Sequence, residues 1–562
     1  MSNAPESHFQ HWPPLVPRHL TLPQTNVFHN AEVSAARYPD KPFIVFYDTT
    51  LSFAEFKDEA ERLAGFLQHV CGVKSGDRVL LCMQNSPQWV LAFYAILRAD
   101  AVVVPVNPMN RTDELSHYVD DCKARTAFVA QDLLAHMQPL LRPEDGNGLQ
   151  HLVVATYSDY LKRPTDLRVP DFVAAARELP RLPGVASWQE ALACNATPGP
   201  LTAGPDDACV MPYTSGTTGA PKGCLHTHRS VMSTLVGGTT WFSRNQDAVY
   251  LSALPFFHVT GLSGSMNGPL YVGATIVVMP RWDREAAASC IQRYGVTTWQ
   301  TITAMLVDFL AQPDLSGYDL SSLQVIRGGG AAMPEAVARR LQELLGLAYI
   351  EGYGMSETMA ATHLNPPHRP KPQCLGVPLF DVDSRIIDPD TLRELPPGKS
   401  GEIVVSGPQV MQGYWNNPEA TRATFIEIDG KRFLRTGDLA FVDADGYFFM
   451  TDRLKRMINS SGYKVWPAEV EALMYRHPAI QEACIIAVAD VRRGETVKAL
   501  VVLKPGHQVT EQQIIDWAHE NMAAYKSPRI VQIVEALPKS GSGKVMWREL
   551  QEQENRAAAA TR

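Results

Sequence analysis

Tyr213-Thr214-Ser215-Gly216-Thr217-Thr218-Gly219-Ala220-Pro221-Lys222-Gly223 alternates glycines with hydroxyl side chains ahead of a lysine. Glycines let backbone N–H groups turn inward around an anion, Ser and Thr hydroxyls add donors, and Lys222 supplies a mobile positive charge. The stretch is built to hold phosphate. Neither Gly216 nor Gly219 begins a G-x-x-x-x-G-K-[ST] match, which excludes a Walker A loop and the kinases and ATPases that use one. A polar surface turn is the plain alternative, because the same residues dominate loops.

Around this loop, from about Asp77 to Gly354, short β-branched runs alternate with amphipathic helical stretches. That alternation builds parallel sheets covered by helices, so the expected class is α/β. Thr275 to Val278 reads as a strand, Asp283 as the cap of a helix to Tyr294, Gly295 as its stop, and Thr297 to Ile302 as the next strand. Leu323 to Arg327 reads as another strand, Gly328 to Gly330 as a turn, Pro334 to Gly346 as a helix with its stop, and Leu347 to Ile350 as a strand. After about Asp381 short strands and turns predominate, as at Gly401 to Ser406 and Gly446 to Met450, which predicts a small β-rich subdomain. The last hundred or so residues carry their own strand (Val497 to Leu503) and helix (Glu511 to Met522), with a frayed tail from Ala557 to Arg562. Two domains are expected: 1–454, parallel-rich sheets with flanking helices plus the β-rich subdomain, and 455–562, a small mobile α+β domain.

The 562 residues carry 51 Lys+Arg against 59 Asp+Glu, a net charge of −8, and 45% hydrophobic residues. That length excludes a single small binding module, and the mild acidity gives no footprint for nucleic acid. No apolar run reaches the roughly 20 residues of a membrane span. Ser2 through Pro14 lacks the basic start and apolar stretch of a secretory signal, so a cytoplasmic protein is expected. The nine cysteines are scattered and form no C-x-x-C pair, which reads as reduced core thiols.

The glycine-rich loop resembles the signature loop of the adenylate-forming superfamily, which includes acyl-CoA synthetases, aryl-CoA ligases, luciferases and peptide-synthetase adenylation domains. The superfamily's other motifs follow in order over nearly the whole chain: Glu351-Gly352-Tyr353-Gly354-Met355-Ser356-Glu357-Thr358, Arg435-Thr436-Gly437-Asp438-Leu439, Thr451-Asp452-Arg453-Leu454-Lys455 and Pro538-Lys539-Ser540-Gly541-Ser542-Gly543-Lys544. The resemblance implies that Thr214, Ser215, Gly216, Thr217, Thr218, Gly219 and Lys222 surround the phosphates of ATP. Tyr353 would lie against adenine beside Glu351 and Gly352, Thr358 near the α-phosphate, and Glu357 with Thr214 on Mg²⁺. Asp438 would grip the ribose hydroxyls, with Arg453 as its partner. Gly328, Gly329 and Gly330 would line adenine and, at Gly328 and Gly330, the acyl group; a plain strand-to-helix turn is the open alternative.

By the same resemblance Lys544 is the catalytic lysine, Lys455 the hinge of a swinging C-terminal domain, and Ser461, Gly462 and Tyr463 part of a pantetheine tunnel. Many members carry Lys where this chain has Asn459. His258, Val259, Gly261 and Gly354 fall where members bind the acyl group, and His258 would gate or orient the carboxylate; a core-packed histidine stays open. Leu254-Pro255-Phe256-Phe257-His258-Val259-Thr260-Gly261 has no aspartate to anchor an amino acid's ammonium.

The implied reaction is ATP-dependent activation of a carboxylic acid to acyl-AMP with release of pyrophosphate, then transfer to coenzyme A with release of AMP. ATP, Mg²⁺ and coenzyme A are the expected cofactors and co-substrate. A medium- to long-chain fatty acid is the first expectation, an aryl or short functionalised acid the alternative, a luciferase-like oxidation or a non-catalytic scaffold the remaining ones. The sequence leaves the oligomeric state open, with a homodimer among the expectations.

Overall fold

The unit expected around Asp283 has the form its residues dictate. Thr275–Val278 is a fully buried strand, the Asp283 carboxylate accepts the N–H groups of Glu285 and Ala286, and the helix Arg284–Tyr294 ends at Gly295 with φ 60°. Thr298–Thr301 is the next strand. This computed structural model describes residues 6–142, 148–214, 221–330, 333–453, 456, 458–460, 463–465, 467–490, 494–540 and 545–560.

The chain divides into two units, one built from His8–Asp383 with Ser406–Leu434, the other from Ser384–Val405 with the chain from Arg435 onward. The division expected at 454/455 falls inside the second of these. In the first unit one sheet runs Val377–Pro378, Ala360–Leu364, Tyr349–Met355, Val325–Gly329, Thr298–Thr301, Val249–Ser252, Thr275–Val278, Pro42–Phe46, Thr49–Ser52. Its centre, from Tyr349–Met355 to Pro42–Phe46, is parallel and its edges antiparallel. A second sheet has Ala208–Val210, Val102–Pro105, Arg78–Cys82, Thr126–Ala130, His151–Ala155 and Val185–Ser187 in parallel, with Lys222–Thr227 and Gly413–Tyr414 antiparallel at one side.

The two sheets share one apolar core. Val79 and Phe128 of the second sheet belong to the same buried cluster as Ile44 and Ile276 of the first, along with the helices Phe53–His69 and Pro87–Arg98. Pro87–Arg98 buries every residue from Pro87 to Leu97, as a helix apolar on all sides must.

Two expectations near the motifs are corrected. Gly328 and Gly329 are not a turn but the end of the strand Val325–Gly329, paired in parallel with Glu351 and Gly352. A side chain at Gly329 would put its Cβ 2.2 Å from the Gly352 carbonyl oxygen, so the glycine is required by the neighbouring strand. Likewise Glu351 to Met355 of the second motif lie within the strand Tyr349–Met355 rather than after it, and Ser356–Thr358 form the turn that follows. Of Gly328, Gly329 and Gly330 it is Gly330, at φ 87°, whose backbone demands glycine for conformation.

In the second unit Asp383–Ile387, Gly401–Ser406, the later part of Lys431–Val442 and Phe448–Arg453 form the β-rich portion. A further sheet orders Tyr463–Val465, Ile458–Ser460, Gly494–Leu503 and Ile480–Asp490, with Ile530–Ile533 parallel to Gly494–Leu503. The helices Pro467–Met474 and Glu511–Asn521 pack with it around Ile485, Val497 and Ile514. The expected frayed tail is corrected: residues 557–560 continue the helix Trp547–Ala560. All nine cysteines are free thiols, and Cys194 alone is exposed rather than in a core. Among the described residues no helix is long and apolar enough to cross a membrane, and no His/Cys/Asp/Glu group is arranged for a metal cluster.

Candidate active site

The phosphate loop begins and ends in a hairpin. Tyr213–Thr214 pairs antiparallel with Lys222 and Gly223, which brings Thr214 opposite Lys222. Tyr213 donates to the Asp121 carboxylate at 2.5 Å and packs edge-on against Tyr118, while His117 meets the Pro221 carbonyl at 2.8 Å. Both flanks are therefore anchored to the helix Thr112–Cys122. Ser215, Gly216, Thr217, Thr218 and Gly219 lie outside the described residues.

Beside the hairpin stands a residue that motif reading did not single out. The Tyr414 hydroxyl donates to Glu357 Oε1 at 2.8 Å, and the Lys222 ammonium lies 5.2 Å from the centre of the Tyr414 ring. Burial, the Glu357 charge and the hydrogen bond to it all push the Tyr414 phenol up, so it remains a donor. Tyr414 is held by the short strand Gly413–Tyr414, which pairs with Cys224 and Leu225 next to Lys222. Glu357 also accepts the Met411 N–H at its backbone oxygen, 2.9 Å, and its side chain is buried. A buried carboxylate beside a lysine, with its own orienting donor, fits a hard divalent cation shared with phosphate oxygens.

The turn that presents Glu357 is fixed from beneath. Burial pulls the His226 imidazole down to about 4, so it is neutral, and its Nε2–H donates to the Ser356 carbonyl at 2.7 Å. Thr358 spends its hydroxyl inside its own turn, on Met355 and Ala360 backbone groups, and is wholly buried. Met359 and Ala360 follow with φ of 49° and 94°, backbone strain of the kind that gathers at binding sites.

Glu351 is likewise occupied by backbone: its carboxylate accepts the N–H groups of Gln373 at 2.8 Å and Met333 at 3.3 Å. Gly352 and Tyr353 continue the same strand, with Tyr353 buried 5.7 Å from the His363 ring. Gly354 has no room for a side chain, since its Cβ would meet the Ala360 oxygen at 1.8 Å.

On the other side of the glycine strand, His258 caps a short helix, its Nδ1 accepting the Thr260 N–H at 3.3 Å. The remaining ring nitrogen therefore carries the proton in the neutral form. Val259 and Gly261 are buried behind it. Asn85, which sequence reading also missed, fixes this segment by donating to Leu254 O at 2.8 Å and accepting Phe256 N–H at 2.8 Å. It is distant in sequence and belongs to no motif, so only the fold reveals it.

In the second unit Asp438 is buried, and its N–H is held by Thr436 Oγ1 at 3.1 Å. Glu402 pairs with Arg435 at 2.6 Å and accepts the Gly437 N–H at 3.0 Å, which shapes the turn ahead of Asp438. The backbone of Arg453 pairs with that of Asp438 across the hairpin. Tyr463 lies in the strand Tyr463–Val465; Lys455, Ser461, Gly462 and Lys544 lie outside the described residues.

Residues 31–415 match the AMP-binding enzyme family and residues 469–544 its C-terminal domain. The chain is 34% identical to a long-chain-fatty-acid–CoA ligase of Bacillus subtilis over 97% of each chain. An anthranilate CoA ligase in complex with anthranoyl-AMP superposes with a TM-score of 0.82 at 28% identity, covering 96% of this chain and 99% of that one. ATP-bound MatB from Rhodopseudomonas palustris gives 0.79 at 27% identity over 93% and 99%. Acyl-CoA synthetases of this kind use ATP with Mg²⁺ and coenzyme A, and the Lys222, Tyr414 and Glu357 arrangement is chemically suited to the first two. Two family models over most of its length, and a full-length relative a third identical, place this chain in the AMP-binding enzyme family as an AMP-forming acid–thiol ligase.

Proposed function

We propose that this chain is an acyl-CoA synthetase that joins a carboxylic acid to coenzyme A in two half-reactions. A carboxylate does not react with a thiol at neutral pH, because oxide would have to leave and the carbonyl is electron-rich. In the first half-reaction the carboxylate attacks the α-phosphorus of ATP in line and pyrophosphate departs. In the second, the thiol sulfur attacks the acyl carbon, AMP leaves with the bonding pair, and the thiol proton passes to solvent. Mg²⁺ would supply charge neutralisation at the phosphate oxygens, with Glu357 and Thr214 as its protein ligands. Lys222 would hold a phosphate, Asp438 and Arg453 the ribose, His258 the acid, and Lys544 the developing charge.

The observation that carries this reading is the Lys222, Tyr414 and Glu357 cluster, a cation and an oriented buried carboxylate joined through one tyrosine beside the phosphate hairpin. A swing of 455–562 about Lys455 would exchange Lys544 for the tunnel residues Ser461, Gly462 and Tyr463 between half-reactions. A cytoplasmic location and a homodimer are part of the proposal, tested by cell fractionation and light scattering.

Similarity to the Bacillus ligase supports a medium- to long-chain fatty acid as substrate. An aryl or short functionalised acid is the second reading, favoured by the polar side chains Gln300 and Arg327 on the sheet face that descends from the glycine strand. The test is CoA-dependent AMP release from ATP with acetate, octanoate, palmitate, benzoate and cinnamate. The acid giving the highest rate decides between the two substrate classes, and silence on these acids and on the dicarboxylic acids glutarate, adipate and isophthalate would remove the ligase reading.

A further inference from the structure

One face of the first sheet gathers polar atoms that lack partners. Gln300 stands opposite Arg327 on adjacent parallel strands, and Tyr250 opposite Thr298 in the row beneath. Residues in register on neighbouring strands, and those two apart on one strand, point to the same face. Arg327 is 8% exposed. Its Nη2 donates to the Gly264 carbonyl at 3.3 Å and its guanidinium lies 4.3 Å from the Phe242 ring centre, while its Nε has no partner. The ionisable groups that act on it are the Tyr250 phenol and the Arg244 guanidinium; no carboxylate among the described residues does. Gln300 Oε1, Tyr250 Oη and Thr298 Oγ1 are buried without partners as well.

A buried guanidinium without a counter-charge is costly, and several orphaned polar atoms on one face call for a polar occupant. An alkyl chain satisfies none of them. The segment over this face is shaped around the same groups. Leu262–Asn267 is a π-helical turn, a rare geometry that recurs at functional sites. Within it a Cβ on Gly264 would fall 1.8 Å from Gln300 Oε1, so that amide packs directly against the glycine, and Ser252 pins the turn by donating to the Ser265 carbonyl at 2.7 Å.

Arg327 lies two residues before Gly329 on its strand, roughly 7 Å along it at the usual rise per residue. An acid whose reacting carboxylate sits at the glycine strand would reach the guanidinium with its far end after about four to six carbons.

We propose that Arg327, assisted by Gln300, holds a second carboxylate on the acid, so that the enzyme activates a short dicarboxylic acid, aliphatic or aromatic, at one end while gripping the other. The planar guanidinium fork matches a carboxylate in two parallel hydrogen bonds, and the Gln300 amide, turned about its terminal bond so that Nε2 takes the place of the unpartnered Oε1, adds a donor. This rests on the ligase reading above and selects the second of its substrate classes.

The test compares thioester formation from glutarate, adipate and isophthalate with that from pentanoate, hexanoate, benzoate, octanoate and palmitate, in the wild-type enzyme and in Arg327→Gln and Arg327→Lys. The proposal expects kcat/KM at least tenfold higher for each diacid than for its monoacid counterpart. It also expects Arg327→Gln to bring that ratio close to one, mainly through KM of the diacid, and Arg327→Lys to restore part of it. Should neither variant fold, the wild-type ratio decides alone. Monoacids turned over as well as or better than diacids would overturn the proposal and leave the ligase reading intact. Thioester from none of the acids would overturn both.

Discussion

The Tyr414 hydroxyl donates to the Glu357 carboxylate at 2.8 Å from beneath a lysine, since Lys222 lies over the same ring. One aromatic side chain thereby orients the acid that suits Mg²⁺ and steadies the cation that suits phosphate. Tyr414→Phe keeps the ring and removes the orienting bond. Adenylation should fall about tenfold, which corresponds to roughly 1.4 kcal/mol of barrier, and half-maximal rate should need more Mg²⁺. Calorimetric binding of ATP with and without Mg²⁺ separates the two roles: affinity lost only with Mg²⁺ present supports the assignment, and an unchanged Mg²⁺ dependence refutes it.

Glu351 gives a pH prediction. Its two backbone N–H partners favour the charged carboxylate, but burial outweighs them and pushes its pKa up from 4.5 to about 7. The folded state therefore holds a proton that the unfolded chain releases between these values. The resulting stabilisation is complete below pH 4.5 and is lost as pH rises through 7, a change on the order of 3 kcal/mol. Glu351→Gln is neutral throughout, although it trades one accepting oxygen for an amide nitrogen. Its melting temperature should vary less than the wild type's between pH 5 and pH 8. Parallel curves for the two proteins would show that Glu351 does not titrate in that window.

Gly329→Ala tests the strand pairing. The added Cβ would lie 2.2 Å from the Gly352 carbonyl, and backbone rather than a flexible side chain is what it meets. The strands must part locally, at a cost of about 2 kcal/mol or more. A lowered melting temperature together with impaired ATP binding is expected, because Gly352 and Tyr353 share that strand. A variant as stable as the wild type would mean that Val325–Gly329 and Tyr349–Met355 are not in this register.

How far the sequence could be read differs from element to element. Asp283 and Gly295 bound their helix by local chemistry, a side-chain cap and a left-handed stop, and local chemistry is visible in sequence. Gly328 and Gly329 read as a turn because glycine is the usual turn residue; that they extend a strand follows from carbonyl groups on neighbouring strands. Lys222 and Glu357 stood out within motifs, whereas Tyr414 reaches Glu357 from 57 residues away and Asn85 reaches Phe256 from 171. Such partners carry no local pattern. Arg327 was legible only as the last residue of an expected strand, and its burial without a counter-charge required the packing of Leu262–Asn267 above it.

Lys544 and Lys455 divide the two half-reactions between them in the proposed mechanism. Bringing a carboxylate against a phosphate draws negative groups together while more charge develops, and a preorganised ammonium offsets that repulsion. Lys544→Ala should therefore slow acyl-AMP formation, read as pyrophosphate release, by about 10²- to 10³-fold, while thioester formation from supplied acyl-AMP is largely kept. Lys455→Pro should do the reverse, since a fixed φ at the hinge obstructs the turn to the thioester-forming pose more than the first step. Measured on the same preparations, these opposite losses would separate a catalytic lysine from a hinge. Equal losses in both half-reactions for either variant would assign that residue to folding, and the proposed exchange of poses would lose its support.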